Sequence, residues 1–152
     1  MTEQPACFEP LPPELDAAID ELLGRVGEAW RAGDRAEAKR LRLQAWDMIP
    51  EPKYKWDFFP QTIARASVEH SRDAGEFSEA KRWLAIMREA YGIPNQASED
   101  TIGFLEGAVL FDAGELDEAY ERFDTSFRRH RKKFFQSVDP KYLDFYMSRK
   151  KR

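Results

Sequence analysis

The chain has 152 residues, enough for one domain with a real core. Its 42% hydrophobic and 34% charged content, with nine prolines set mostly between periodic segments, excludes both a disordered and a membrane-embedded class. The net charge of -4 conceals a polarity, because residues 1–127 hold 14 Lys and Arg against 26 Asp and Glu, whereas residues 128–152 hold 10 against 2. An acidic body of net -12 therefore ends in a basic segment of net +8, an asymmetry that bears on partners rather than on fold.

No apolar run approaches the ~18 residues of a spanning helix. The opening "MTEQPACFEPLPPELD" lacks the basic and then apolar order of a secretory signal. A cytoplasmic location is expected, and the single Cys7, which has no internal disulfide partner, suits a reducing compartment.

In chain order, an N-terminal arm over 1–12 precedes a helix over roughly 13–32, opened by Pro12 and Pro13. "AGDRAEA" at 32–38 then turns the chain into a second helix over 35–49. "PEPKYKWDFF" at 50–59 interrupts the helical pattern before a third helix over about 58–73, with Asp57 as its expected cap. "AGEFSEA" at 74–80 leads into a fourth over 77–91. A fifth, capped by Ser98, runs over 99–113, and "AGELDEA" at 113–119 leads into a sixth over 116–134. Asp139 and Pro140 open a closing helix over about 140–149.

The three turn segments align without gaps as Ala-Gly-acid-x-x-Glu-Ala, with Gly33, Gly75 and Gly114 spaced 42 and then 39 residues apart. Gly takes the left-handed conformation that ends one helix, and the acid after it lies at the amino end of the next, where its charge meets the dipole. Asp34 with Glu37 matches a capping box. The small Ala38, Ala80 and Ala119 let the second helix of each pair approach the first. The reading is all-α: a single solenoid domain of three helical hairpins at about 13–49, 58–91 and 99–134 plus a closing helix.

This pattern resembles the tetratricopeptide repeats. Gly107, Leu110, Gly114, Ala119 and Phe123 match it in the third repeat, Gly75, Ala80 and Leu84 in the second, and Gly33, Ala38, Ala45 and Pro50 in the first. Arg42 stands where a large apolar residue is expected. The period departs from the family's ~34 residues, with the extra residues placed at about 50–57 and 92–98. "AWDMIPEPKYKWD", the "FDAGELDEA" turn and "DPKYLDFY" further resemble a group of small bacterial tetratricopeptide-like proteins found beside polymorphic toxin genes. That resemblance implies a right-handed superhelix and an immunity role, with a toxin domain as partner; a peptide-binding scaffold or co-chaperone adaptor is the alternative.

The family geometry implies a concave groove lined by first helices, which places Asp20, Leu23 and Trp30, then Thr62, Arg65, Glu69 and Arg72, then Thr101, Phe104 and Phe111 on that side. Arg65 and Arg72 would grip carboxylates while Trp30, Phe104 and Phe111 anchor apolar groups. The competing reading makes Arg65, Glu69 and Arg72 local surface ion pairs worth ~0.3–0.5 kcal/mol each. Tyr54 and Trp56 are either a plug between hairpins or a loop that a partner reads, with the plug favoured.

Nothing in the sequence advertises catalysis. His70 and His130 fall in different pairs, and no metal-ligand spacing, phosphate loop or nucleophile elbow occurs, so no cofactor is expected. "RRHRKK" at 128–133 raises nucleic acid as a partner, but basic residues favour helix carboxyl ends and the acidic body repels phosphate. A protein partner is the expectation, with oligomeric state open.

Overall fold

The computed structural model describes residues 8–92 and 96–151, with the side chains of Gln96 and Ala97 left aside. Cys7 and most of the expected arm lie outside the described residues. Within them the regular structure is helical: α1 (Pro13–Arg31), α2 (Arg35–Met48), α3 (Phe59–Asp73), α4 (Phe77–Tyr91), α5 (Gln96–Asp112), α6 (Leu116–His130) and α7 (Pro140–Lys150). One-turn 3-10 helices at Lys53–Lys55 and Lys133–Phe135 precede α3 and α7. The helices pack most extensively as the adjacent pairs α1/α2, α3/α4 and α5/α6. No described helix is long and apolar enough to cross a membrane.

The three turns are built alike. Gly33, Gly75 and Gly114 have φ of 79°, 75° and 83°, where a side chain would cost roughly 1 kcal/mol or more. Each Gly N–H donates to the second-last residue of the preceding helix, at 3.0 Å to the carbonyls of Trp30, Arg72 and Phe111. The following N–H of Asp34, Glu76 or Glu115 reaches Ala29, Ser71 or Leu110 at 2.9, 2.8 and 2.9 Å. This double bond pattern satisfies the carbonyls that a helix end otherwise leaves open. The alanines that follow, Ala38, Ala80 and Ala119, are fully buried, which is the close approach their size permits. In the third pair a further contact is tight: a Cβ on Gly107 would stand 2.9 Å from the Phe123 ring.

The acidic turn residues divide in their use. Asp34 caps α2, accepting from the Glu37 N–H at 3.1 Å. Glu76 and Glu115 cap nothing with their side chains. Instead they receive lysines from the preceding pair, Lys39 to Glu76 at 2.9 Å and Lys81 to Glu115 at 2.6 Å. These surface ion pairs add only a few tenths of a kcal/mol each, ~0.2–1, but they recur at the same place in the repeat.

Three clusters make the core. The first joins α1 and α2 through Ile19, Leu22, Val26, Leu41 and Ile49, and takes in Phe59 and Ile63 of α3. A second joins α3, α4 and α5 through Val68, Trp83, Met87, Ile102 and Val109. The third, which is aromatic, gathers Phe104, Phe123, Phe127, Phe135, Tyr142 and Tyr146 from α5, α6 and the C-terminal segment.

Several helix ends differ from the sequence expectation. Gln96 opens α5, so Ser98 lies within its first turn rather than capping it. The position before α3 is Phe58, not Asp57, with φ 71° and no side-chain cap bond. Asp57 is taken up otherwise, its N–H donating to the Glu9 carbonyl at 2.8 Å. α6 stops at His130 because Arg131 turns to φ 54°. That reversal carries Phe134 and Phe135 back onto Phe104, with ring centroids 5.7 and 4.9 Å away.

Candidate functional site

A cleft of about 460 Å³ opens between α3, α5, the segment after α6, and α7. α3 contributes Arg65, Glu69, Arg72 and Asp73, spaced so that successive turns present them along one edge. Thr101, Phe104 and Leu105 come from α5, Phe134, Val138 and Asp139 from the connection, and Lys141 and Tyr142 from α7.

Its polar wall is organised by Asp112, whose side chain is only 13% exposed. The Tyr142 hydroxyl donates to Asp112 Oδ2 at 2.7 Å, and Lys141 Nζ lies 2.9 Å from Oδ1. Arg72, 12% exposed, stands 3.7 Å from the same carboxylate and 3.2 Å from Asp73, with its guanidinium carbon 5.9 Å from the Tyr142 ring centroid. Burial and the bond to Asp112 push the Tyr142 phenol well above its ordinary value, so it stays a neutral donor. Arg65 pairs with Glu69 at 3.2 Å and is half exposed, which is the local pairing weighed from the sequence. The cleft thus presents cations and anions in alternation over an aromatic floor. That arrangement suits a polypeptide, whose backbone dipoles and mixed side chains match both signs.

The groove residues do not all gather here. Arg65, Glu69, Arg72 and Phe104 do. Phe104 is 4% exposed and packs on Phe123, Phe134 and Phe135, so it is floor and core rather than a free anchor. Phe111 is half-buried under Tyr142 and Phe145 at 5.5 and 4.9 Å, covered by α7. Trp30 lies in a different cleft, stacked on His70 at 3.8 Å. Asp20 is exposed on α1. The expectation from the sequence set these side chains along one groove; the structure divides them between two clefts, and residues 131–150 cover Phe104 and Phe111.

The loop before α3 is pinned from several sides. Trp56 is half-buried, its Nε1 donating to the Pro50 carbonyl at 2.8 Å, and its backbone forms a lone parallel bridge with Glu9. Lys53 Nζ closes the end of α2, donating to the Ile49 and Trp46 carbonyls at 2.8 and 3.0 Å. Gln61 Nε2 ties the start of α3 to the Ala90 carbonyl of α4 at 2.6 Å. Trp56 is packed against the first core cluster, while Tyr54 is exposed. Phe58, beside it and 58% exposed at positive φ, is an outward aromatic that the sequence reading missed. A bulky residue rarely holds that conformation, so no local sequence signal marks it. Asp112 was missed too, its only mark being its place just before the third Ala-Gly turn.

Among the described residues, no group of three His, Cys, Asp or Glu side chains is arranged to hold a metal ion. No family model, curated protein or solved structure matches the chain.

Proposed function

We propose that the chain is a non-catalytic protein-binding module, a right-handed tetratricopeptide-like solenoid of three hairpins closed by α7. In its most concrete form it is a bacterial immunity-type protein, acting in the cytoplasm, that binds and neutralises a cognate toxin domain. The observation that carries this reading is the α3/α5/α7 cleft, where Arg65, Arg72 and Lys141 alternate with Glu69, Asp73 and Asp139 over Phe104 and Phe134. The acidic body of net -12 supports it as well. A toxin that cleaves nucleic acid carries a basic cleft, and such a cleft would be steered electrostatically toward this surface.

The test is co-expression with the product of the adjacent gene. Co-purification and rescue of growth, with association slowing as salt rises, are the expected results. No complex and no rescue sink the immunity form. A peptide-binding scaffold is the second reading, favoured by a cleft whose volume fits a few side chains. It predicts that short peptides bind with loss on Arg65→Ala, whereas a folded toxin domain would also depend on exposed residues of the loop before α3, such as Tyr54.

A further inference from the structure

Arg42 occupies the place, nine residues after a turn glycine, that Leu84 and Phe123 hold in the second and third pairs. It is as buried as they are, at 2% exposure. Its Nε donates to the Ser67 hydroxyl at 2.9 Å, and Nη1 donates to His70 Nδ1 at 2.9 Å. Neither partner is charged at neutral pH, since burial and the adjoining Arg42 guanidinium hold His70 down to about 4. Among the described residues no carboxylate lies within ion-pair distance of Arg42. Glu76 and Glu79, which act on Arg42 only at longer range, are both engaged with Lys39, at 2.9 and 3.0 Å, and among the described residues no hydrogen-bond acceptor is recorded for Nη2. A buried cation without a counterion is strongly unfavourable. If bulk alone were required, an apolar side chain of the kind found in the other two pairs would serve.

Arg42 borders a cleft of about 240 Å³ between α1, α2 and α3. Ser71, 2% exposed, borders it too, and its hydroxyl lies just beneath the surface with no hydrogen-bond partner among the described residues. Trp30 and His70, stacked with 4° between their planes, make a flat wall. Accepting at Nδ1 leaves the His70 proton on Nε2. Arg35 lies over Trp30 at 4.6 Å and adds a second cation at the mouth. Of the residues that line the cleft, Arg35, Lys39 and Arg42 are cationic and only Glu76 is anionic, so its charge balance suits an anion.

We propose that this cleft binds one carboxylate carried on an apolar stem, held by Arg42 Nη2 and the Ser71 hydroxyl against the Trp30–His70 wall. The fork of a guanidinium suits the two carboxylate oxygens. The carboxylate comes either from an Asp or Glu side chain of a partner or from a free small acid. The site goes beyond the protein-binding reading and stands if that reading fails.

The experiment titrates the full chain, labelled with ¹⁵N, with phenylacetate, with a blocked glutamate (N-acetylglutamate amide) and with inorganic phosphate. The Trp30 Nε1–H and Arg42 Nε–H resonances are followed. Saturable shifts with a carboxylate are expected, weakened ~10-fold or more in Arg42→Met and ~3- to 10-fold in Ser71→Ala, which leaves the buried charge in place. Tighter binding of the blocked glutamate assigns the site to a partner's side chain, and tighter binding of phenylacetate assigns it to a small acid. No saturable shift with either carboxylate, an unchanged affinity in both variants, or phosphate binding tighter than both carboxylates overturns the proposal.

Discussion

Two arginines flank clefts that share α3, and their surroundings are opposite in kind. Arg72 is packed against Tyr142 and stands between Asp73 and Asp112 at 3.2 and 3.7 Å, so its charge is answered within the chain. Arg42 is more deeply buried and meets only a hydroxyl and a neutral imidazole. The first arrangement joins α3 to α5 and α7 and stabilises the fold. The second spends folding energy without closing its own electrostatics, which is how a site awaiting an anion differs from a structural ion network.

Removing Asp112 breaks the comparison most severely. Asp112→Ala leaves Arg72 and Lys141 short of a counter-charge and the Tyr142 hydroxyl without its acceptor, and is expected to cost about 2–4 kcal/mol in urea unfolding. A cost under about 1 kcal/mol would mean that Asp112 does not organise that wall. Next comes pH. His70 titrates near 4 in the fold against 6.5 when free, so between those values the unfolded chain binds more protons. The contribution is complete above pH 6.5 and is lost as pH falls toward 4, about 1–2 kcal/mol after allowance for screening at a half-buried ring. His70→Gln should flatten stability across that window. The paired carboxylates Glu79 and Glu106, whose values are lowered from 4.5, lose their contribution as pH falls past 4.5, so they overlap only the acid end of that window.

Arg42→Met sharpens the contrast by its sign. Replacing the unanswered cation with an apolar side chain of similar length is expected to change stability by less than about 1 kcal/mol, or to raise it. Ser67 keeps its bond to the Ile63 carbonyl at 2.7 Å. A loss of about 3 kcal/mol or more would show Arg42 to be structural. Arg65→Ala should be the mildest, within about 0.5 kcal/mol by thermal melt, because its pair with Glu69 is exposed. Any large effect of Arg65→Ala on partner binding is then not a folding effect.

What could be read from the sequence follows from where each structure's cause lies. The turns at Gly33, Gly75 and Gly114 were legible because a left-handed glycine and its two backbone bonds are local. The end of α6 was not, since Arg131 reverses the chain only because Phe134 and Phe135 find Phe104 on another helix. For the same reason the cover of Phe104 by Phe134 and Phe135, and of Phe111 by α7, was invisible. Arg42 was visible as a break in register, whereas the neutrality of its neighbours was not.

The lysine rungs carry one more consequence. Lys39 and Lys81 each stand six residues after a turn glycine and reach the acid that follows the next one. At the same place in the third pair the chain has Tyr120, which stacks on Tyr146 of α7 at 5.3 Å. A lysine there would reach for a further pair; a tyrosine accepts a lid. The third pair thus carries an aromatic contact to α7 where the first two carry a lysine rung to the next turn.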